Sequence, residues 1–123
     1  MRASASRRRW RAVPAVAFAF AVTVSAVVLF APRSGSGWDV PHLDKVVHVA
    51  VFALLAGTAA WLFGRLRAVL AGCVVYAVGS EVVQHVLLPR RSGDAADVVA
   101  DCAGAGAALL LARAVRRRRA RRG

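Results

Sequence analysis

AVLAGCVVYAVGSEVVQHVLLPRRSGDAADVVADCAGAGAALLLARAV, residues 68–115, is two apolar runs hinged on a polar stretch, and its reading decides the fold. Pro89 ends the first run, and Ser92 and Gly93 before Asp94 suit a turn. Each run is close to the ~20 residues a helix needs to cross ~30 Å of hydrocarbon. Barrel strands would alternate polar and apolar residues over ~10 positions, and these runs do not alternate. A helix that satisfies its own backbone is the remaining solution in lipid.

Working outward, two further runs of the same kind occupy residues 12–31 and 46–63. The chain has 123 residues, 59% of them hydrophobic, with a mean hydropathy of +0.55. One small soluble core could not absorb that apolar surface, so the surplus faces lipid. The expected architecture is all-α: a polytopic membrane protein with four transmembrane helices at about 12–31, 46–63, 68–88 and 98–115. Residues 1–11 form a basic cytoplasmic N-terminus, 12–115 the membrane domain and 116–123 an Arg-rich cytoplasmic tail.

A formal net charge of +12 invites a nucleic-acid reading until the charges are placed. Bases cluster from Arg2 to Arg11, at Arg65 and Arg67, and from Arg113 to Arg122. The other connections carry only Arg33, Lys45, Arg90 and Arg91, beside all 6 acids of the chain. With four spans this is a positive-inside pattern, which puts both termini and the GRLR turn at residues 64–67 in the cytoplasm. The charge is therefore a topology signal. No nucleic-acid partner is expected, because no reading motif accompanies the Arg runs.

MRASASRRRWR, residues 1–11, resembles the basic region of a signal peptide, but the apolar run behind it is longer than the ~7–15 residues usual there. No small-x-small cleavage site closes that run before Pro32, so an uncleaved first helix is expected. Trp10 and Trp38 fit interfacial anchors. Cys73 and Cys102 are expected at different depths, as small apolar fillers and not a disulfide. AGAGAA, residues 103–108, together with Gly72 and Gly79, reads as surface for close helix packing.

The polar residues are too concentrated to be accidental. Glu81, Gln84, His85 and Leu88 follow i, i+3, i+4, i+7 spacing, one face of the third helix. Glu81 lies about two turns, or ~10 Å, below the outer end, where an unpaired ionisable group costs ~2.5–3.5 kcal/mol. Topology brings partners to the same depth: Asp44, Lys45 and His48 on the second helix, and Asp94, Asp97 and Asp101 on the fourth. Arg90 and Arg91 sit above them, where a guanidinium can pair with a carboxylate or hold a phosphate. The expectation is one polar pocket opening outward.

These residues fall into three motifs that resemble the VanZ-like family of membrane proteins. Asp44-Lys45-x-x-His48 with Phe52 resembles the first, Glu81-x-x-Gln84 the second, and Arg91-x-x-Asp94-x-x-Asp97 followed by Asp101 and Gly104 the third. The resemblance runs from Asp44 to Ala108. It departs from the family at Asp101, where Asn is common, and at Ala108, which replaces a frequent second Gly. The family is named after a glycopeptide-resistance cluster, so the resemblance implies an envelope role that includes teicoplanin-type tolerance. It supplies no biochemical activity.

From the residues themselves, Glu81, His48 and Asp97 are the candidate catalytic groups, as acids and bases tuned by burial. Asp44, Lys45, Gln84, His85, Arg90, Arg91, Asp94 and Asp101 are the candidate binding groups. The expected ligand is an anionic membrane lipid or lipid-linked envelope precursor, bound or modified at the outer leaflet of the cell membrane. The alternatives are a non-catalytic binding or interaction module, and a component of a proton-linked carrier. No cofactor and no metal is expected: His48, Glu81, His85 and the aspartates are suitable ligand types, which keeps a metal site as an alternative, but Glu81 and His85 are only half of a ligand signature and HExxH is missing.

Overall fold

Long apolar stretches that close their own i→i−4 ladders need no partner for their backbone, and each becomes one helix. The computed structural model describes residues 2–31, 42–88 and 94–123 and contains α1 (Arg2–Phe30), α2 (Leu43–Phe63), α3 (Leu66–Leu87) and α4 (Ala95–Ala120), with no strand among the described residues. All four are long and apolar enough to cross a membrane, α1 through its segment Ala12–Phe30. Trp38 and the connections at 32–41 and 89–93 lie outside the described residues, as does the side chain of Trp10.

The helices run past the hydropathy boundaries at most ends. Hydropathy marks where lipid lies, whereas a helix continues until its end groups are capped. Thus α2 takes in Leu43, Asp44 and Lys45, and α4 starts three residues before Val98. The α4 start is set by Asp94, whose Oδ1 accepts from the Ala96 amide at 2.9 Å as an N-cap. At the other end of the bundle α2 stops at Gly64, in the left-handed region with φ 73°. That conformation costs a glycine little, and its amide donates to Ala60 O at 3.0 Å. Arg116 of α4 completes this cap, Nη1 donating to Gly64 O at 2.7 Å and Nη2 to Ala60 O at 2.6 Å.

The directions of the helices follow from these contacts. The α4 C-terminal half reaches the end of α2, so α2 and α4 run parallel. Ser25 meets Tyr76 at 3.2 Å and Gln84 meets Leu29 at 3.0 Å, so α1 runs with α3, against the other pair. One end of the bundle therefore holds Gly64 and the basic tail, and the other holds the starts of α2 and α4 beside the end of α3.

Helix α2 is central and packs on every other helix, most extensively on α4. Phe52, Ala56, Ala59 and Ala60 of α2 meet Leu29 of α1, Val69, Cys73 and Ala77 of α3, and Ala105 and Leu109 of α4 in the core. Large apolar side chains such as Val16, Phe20, Val75, Val86, Val99 and Leu110 point outward. An apolar outer surface, with the ionisable side chains of His48, Glu81, Asp97 and Asp101 kept among the buried residues, is what a lipid-facing bundle requires.

Helices α2 and α4 approach closely at Gly104. A Cβ there would collide with Val49 O and come within 2.9 Å of Val49 Cα, so only glycine lets α2 and α4 meet at that point. Gly106, in contrast, has no atom within 4 Å of an added Cβ, and neither do Gly72 and Gly79. Of the glycines read as packing surface, Gly104 alone has such a neighbour, because the others face open space. Both cysteines are free.

A cavity of about 490 Å³ lies between α1, α2 and α3 toward the Gly64 end, lined by Phe18, Leu55, Phe63, Arg65, Cys73 and Tyr76 among others. It exists because α1 and α3 touch little, the edge-on Phe18–Phe63 pair and the Ser25–Tyr76 contact bordering the gap.

Candidate functional site

The described residues of the three sequence motifs arrive at one end of the bundle on α2, α3 and α4. The Gly104–Val49 approach is what joins two of them. Asp101 lies one turn before Gly104 on the same face of α4, and His48 directly precedes Val49. Close backbones allow a short aspartate to reach the ring: His48 Nδ1 and Asp101 Oδ1 are 2.8 Å apart. Both residues are buried, Asp101 completely. With Asp101 ionised, Nδ1 carries the proton and donates it, and Nε2 is turned toward Asp97 Oδ2 at 3.9 Å, beyond hydrogen-bond range.

Lys45, one turn before His48, spans the gap between α2 and the first turn of α4. Its Nζ donates to Asp94 Oδ2 and to Asp97 Oδ1, each at 2.9 Å, and lies 3.8 Å from Asp44 Oδ2. The ammonium is thus already matched by carboxylates. The Ala96 amide and then Lys45 hold the Asp94 carboxyl below its ordinary range, since both favour the ionised form.

Glu81 closes the cluster from α3. Its Oε2 accepts from the Asp94 backbone amide at 3.0 Å, while Oε1 is buried without a hydrogen-bond partner among the described residues. The second oxygen of Asp101, Oδ2, is in the same condition. His48, Glu81 and Asp97 each offer a potential metal-ligand atom within 4.8 Å of the other two.

Not every expected residue joins this group. Gln84 is buried, but its Nε2 donates to Leu29 O at 3.0 Å, which satisfies a carbonyl at the end of α1. His85 is exposed on α3. At roughly 100° per residue, Gln84 and His85 flank Glu81 on opposite sides, and the buried arc through Cys73, Ala77, Ser80 and Gln84 leaves Glu81 at its edge. A step in the direction of His85 therefore leaves the interface. Arg90 and Arg91 lie outside the described residues.

Sequence reasoning treated Arg116 only as topology charge, and AGAGAA as a general packing surface. No local pattern marks an arginine that caps a distant helix or the one glycine that meets Val49, because both depend on which helix lies opposite. The family model VanZ/LLP1 matches residues 2–116. No curated protein matches the chain, and no solved structure matches it.

Proposed function

The chain belongs to the VanZ/LLP1 family as a multi-pass membrane protein, and from that premise we propose that its polar cluster binds the anionic headgroup of an envelope lipid or lipid-linked precursor. In this reading both termini lie in the cytoplasm and the cluster opens to the outer leaflet, which the distribution of arginines supports. The observation that carries the reading is the convergence of His48, Glu81, Asp97 and Asp101, all buried, from three helices at one end of an otherwise apolar bundle. Interhelical polar pairs in membranes contribute only ~0.6 kcal/mol on average, which does not account for so many ionisable groups at one depth.

Arg90 and Arg91 on the adjoining connection supply cations that Lys45, held by Asp94 and Asp97, does not. Glu81 and His48 are the acid–base pair for any chemical step, with Asp101 orienting His48. Asp97 assists from the opposite side of the ring. Tolerance to a teicoplanin-type glycopeptide is the physiological role that the family's name suggests.

Native mass spectrometry of the purified full-length protein tests the binding reading. A co-purifying anionic lipid is expected for the parent chain and lost when Arg90 and Arg91 are both changed to Gln. Lipid retained by that double variant would defeat it. Glu81→Gln separates the functions: headgroup binding persists and a catalysed step disappears. Reporter fusions after Trp38, Arg65, Ser92 and Arg113 test the orientation, which an extracytoplasmic signal at Arg65 would reverse.

A further inference from the structure

We propose that His48, Glu81 and Asp97 bind one divalent transition-metal ion, with Asp101 orienting His48 toward it. One potential ligand atom from each of the three residues lies within 4.8 Å of the others, and all three residues are buried. Protein partners already occupy His48 Nδ1, Glu81 Oε2 and Asp97 Oδ1. The second atoms of the same groups, Nε2, Oε1 and Oδ2, are the ones available to an ion.

Two independent features point to a cation among them. Glu81 is only 7% exposed, and its buried Oε1 has no hydrogen-bond partner among the described residues. A carboxylate oxygen in that position keeps its desolvation cost until a donor or a cation reaches it. The second feature is the imidazole. With its Nδ1 proton given to Asp101, His48 presents the Nε2 lone pair toward Asp97 Oδ2 at 3.9 Å. Two acceptors then face each other, an arrangement that a positive ion between them would turn from repulsive to attractive.

Charge leads to the same place. Among the described residues the carboxylates of Glu81, Asp97 and Asp101 gather around His48, while the Lys45 ammonium pairs with Asp94 and Asp97. Surplus negative charge inside a membrane bundle is costly, and a dication offsets it. The donor set selects the kind of ion. One imidazole nitrogen and two carboxylates suit Zn²⁺, Mn²⁺ or Fe²⁺, whereas Mg²⁺ and Ca²⁺ favour oxygen alone.

No two of the three ligand atoms stand more than 4.8 Å apart, which bounds the adjustment the geometry needs. Ligand atoms ~2.1 Å from a tetrahedral ion stand ~3.4 Å apart, so the 3.9 Å between Nε2 and Oδ2 closes by about half an ångström. The His48–Asp101 hydrogen bond is the usual device for fixing the tautomer of a ligating histidine. Three protein ligands leave a coordination position open, as in sites where a metal meets water or substrate. The ion does not require the headgroup reading, but its open position would give a phosphate oxygen the positive partner that Lys45 cannot.

The test uses full-length protein in detergent, stripped with EDTA and then titrated with Zn²⁺, or with Co²⁺ as a spectroscopic substitute. The parent chain is expected to take up about one ion per chain with the visible absorption of His-ligated Co²⁺. His48→Gln and Glu81→Gln should each weaken uptake by about 100-fold or more, and Asp101→Asn by ~10–100-fold with a shifted Co²⁺ spectrum. His42→Gln and His85→Gln should change neither. Gel filtration reports whether each variant is folded. Failure of the folded parent chain to take up either ion overturns the proposal without any variant. So does uptake that His85→Gln reduces as much as His48→Gln, or Mg²⁺ displacing Zn²⁺ at equal concentration. Ion uptake without lipid, or lipid without ion uptake, separates this site from the headgroup reading.

Discussion

Replacing Gly104 by alanine adds a single methyl group, yet the structure predicts a large effect. The new Cβ would collide with Val49 O and lie 2.9 Å from Val49 Cα and C, where ordinary contacts begin at 3.4 Å. Helices α2 and α4 must part by at least about half an ångström for the carbons, and by more for the oxygen. That separation acts directly on the 2.8 Å contact between His48 and Asp101, one turn away. Overpacking costs ~1–3 kcal/mol, and losing a hydrogen bond to a charged partner adds ~1.5–3 kcal/mol. Alanine recovers ~0.5–1 kcal/mol of helix propensity, so a net loss of ~2–5 kcal/mol is expected.

Gly106→Ala is the matched control. It makes the same chemical change on the same helix, but its Cβ meets nothing within 4 Å. It should leave stability unchanged or raise it by up to ~1 kcal/mol. Reversible unfolding in mixed detergent micelles, followed by helical circular dichroism, measures both. Equal stability of Gly104→Ala and Gly106→Ala would refute the claim that the Gly104–Val49 approach assembles the polar cluster.

Three further outcomes follow from the same contacts. Arg116→Ala removes both donors to the α2 C-cap and should cost ~1–3 kcal/mol in the same assay, whereas Arg118→Ala should be neutral; equal effects would make Arg116 merely one of the tail charges. Gln84→Leu should cost ~1 kcal/mol and loosen the end of α1, seen as faster amide exchange near Leu29, with exchange there unchanged counting against the contact. Asp94 is held below its ordinary range by the Ala96 amide and Lys45, so its contribution is complete above pH ~4 and is lost as pH falls through its folded value. Thermal midpoints of the parent chain and Asp94→Asn should therefore differ at pH 7 and converge below pH ~4, and a gap independent of pH would exclude this role.

Much of this molecule is legible in one dimension because lipid imposes a one-dimensional rule. A span must be a continuous apolar run of sufficient length, and four such runs announce four helices with no knowledge of their packing. Polar residues in such runs are equally conspicuous, which is why Lys45, His48, Glu81, Asp97 and Asp101 could be named as one group. Periodicity was less reliable within a helix. Glu81, Gln84 and His85 share a face by spacing, but the width of the interface with neighbouring helices determines how much of that face is interior, and His85 falls beyond it.

By itself, then, the sequence determined the all-helical membrane class, the spans and the end of the bundle where ionisable groups collect, since each depends on hydropathy and order along the chain. Only the tertiary structure decided which groups touch. His48 takes Asp101 and not Asp97 as its hydrogen-bond partner, Gln84 serves α1, Arg116 caps α2, and Gly104 is the glycine that matters. The reason is physical: hydrogen bonds and close packing act over a few ångströms between helices that are distant in sequence. Whether a carboxylate meets a ring, an amide or another carboxylate is therefore set by helix rotation and spacing, which no local pattern encodes.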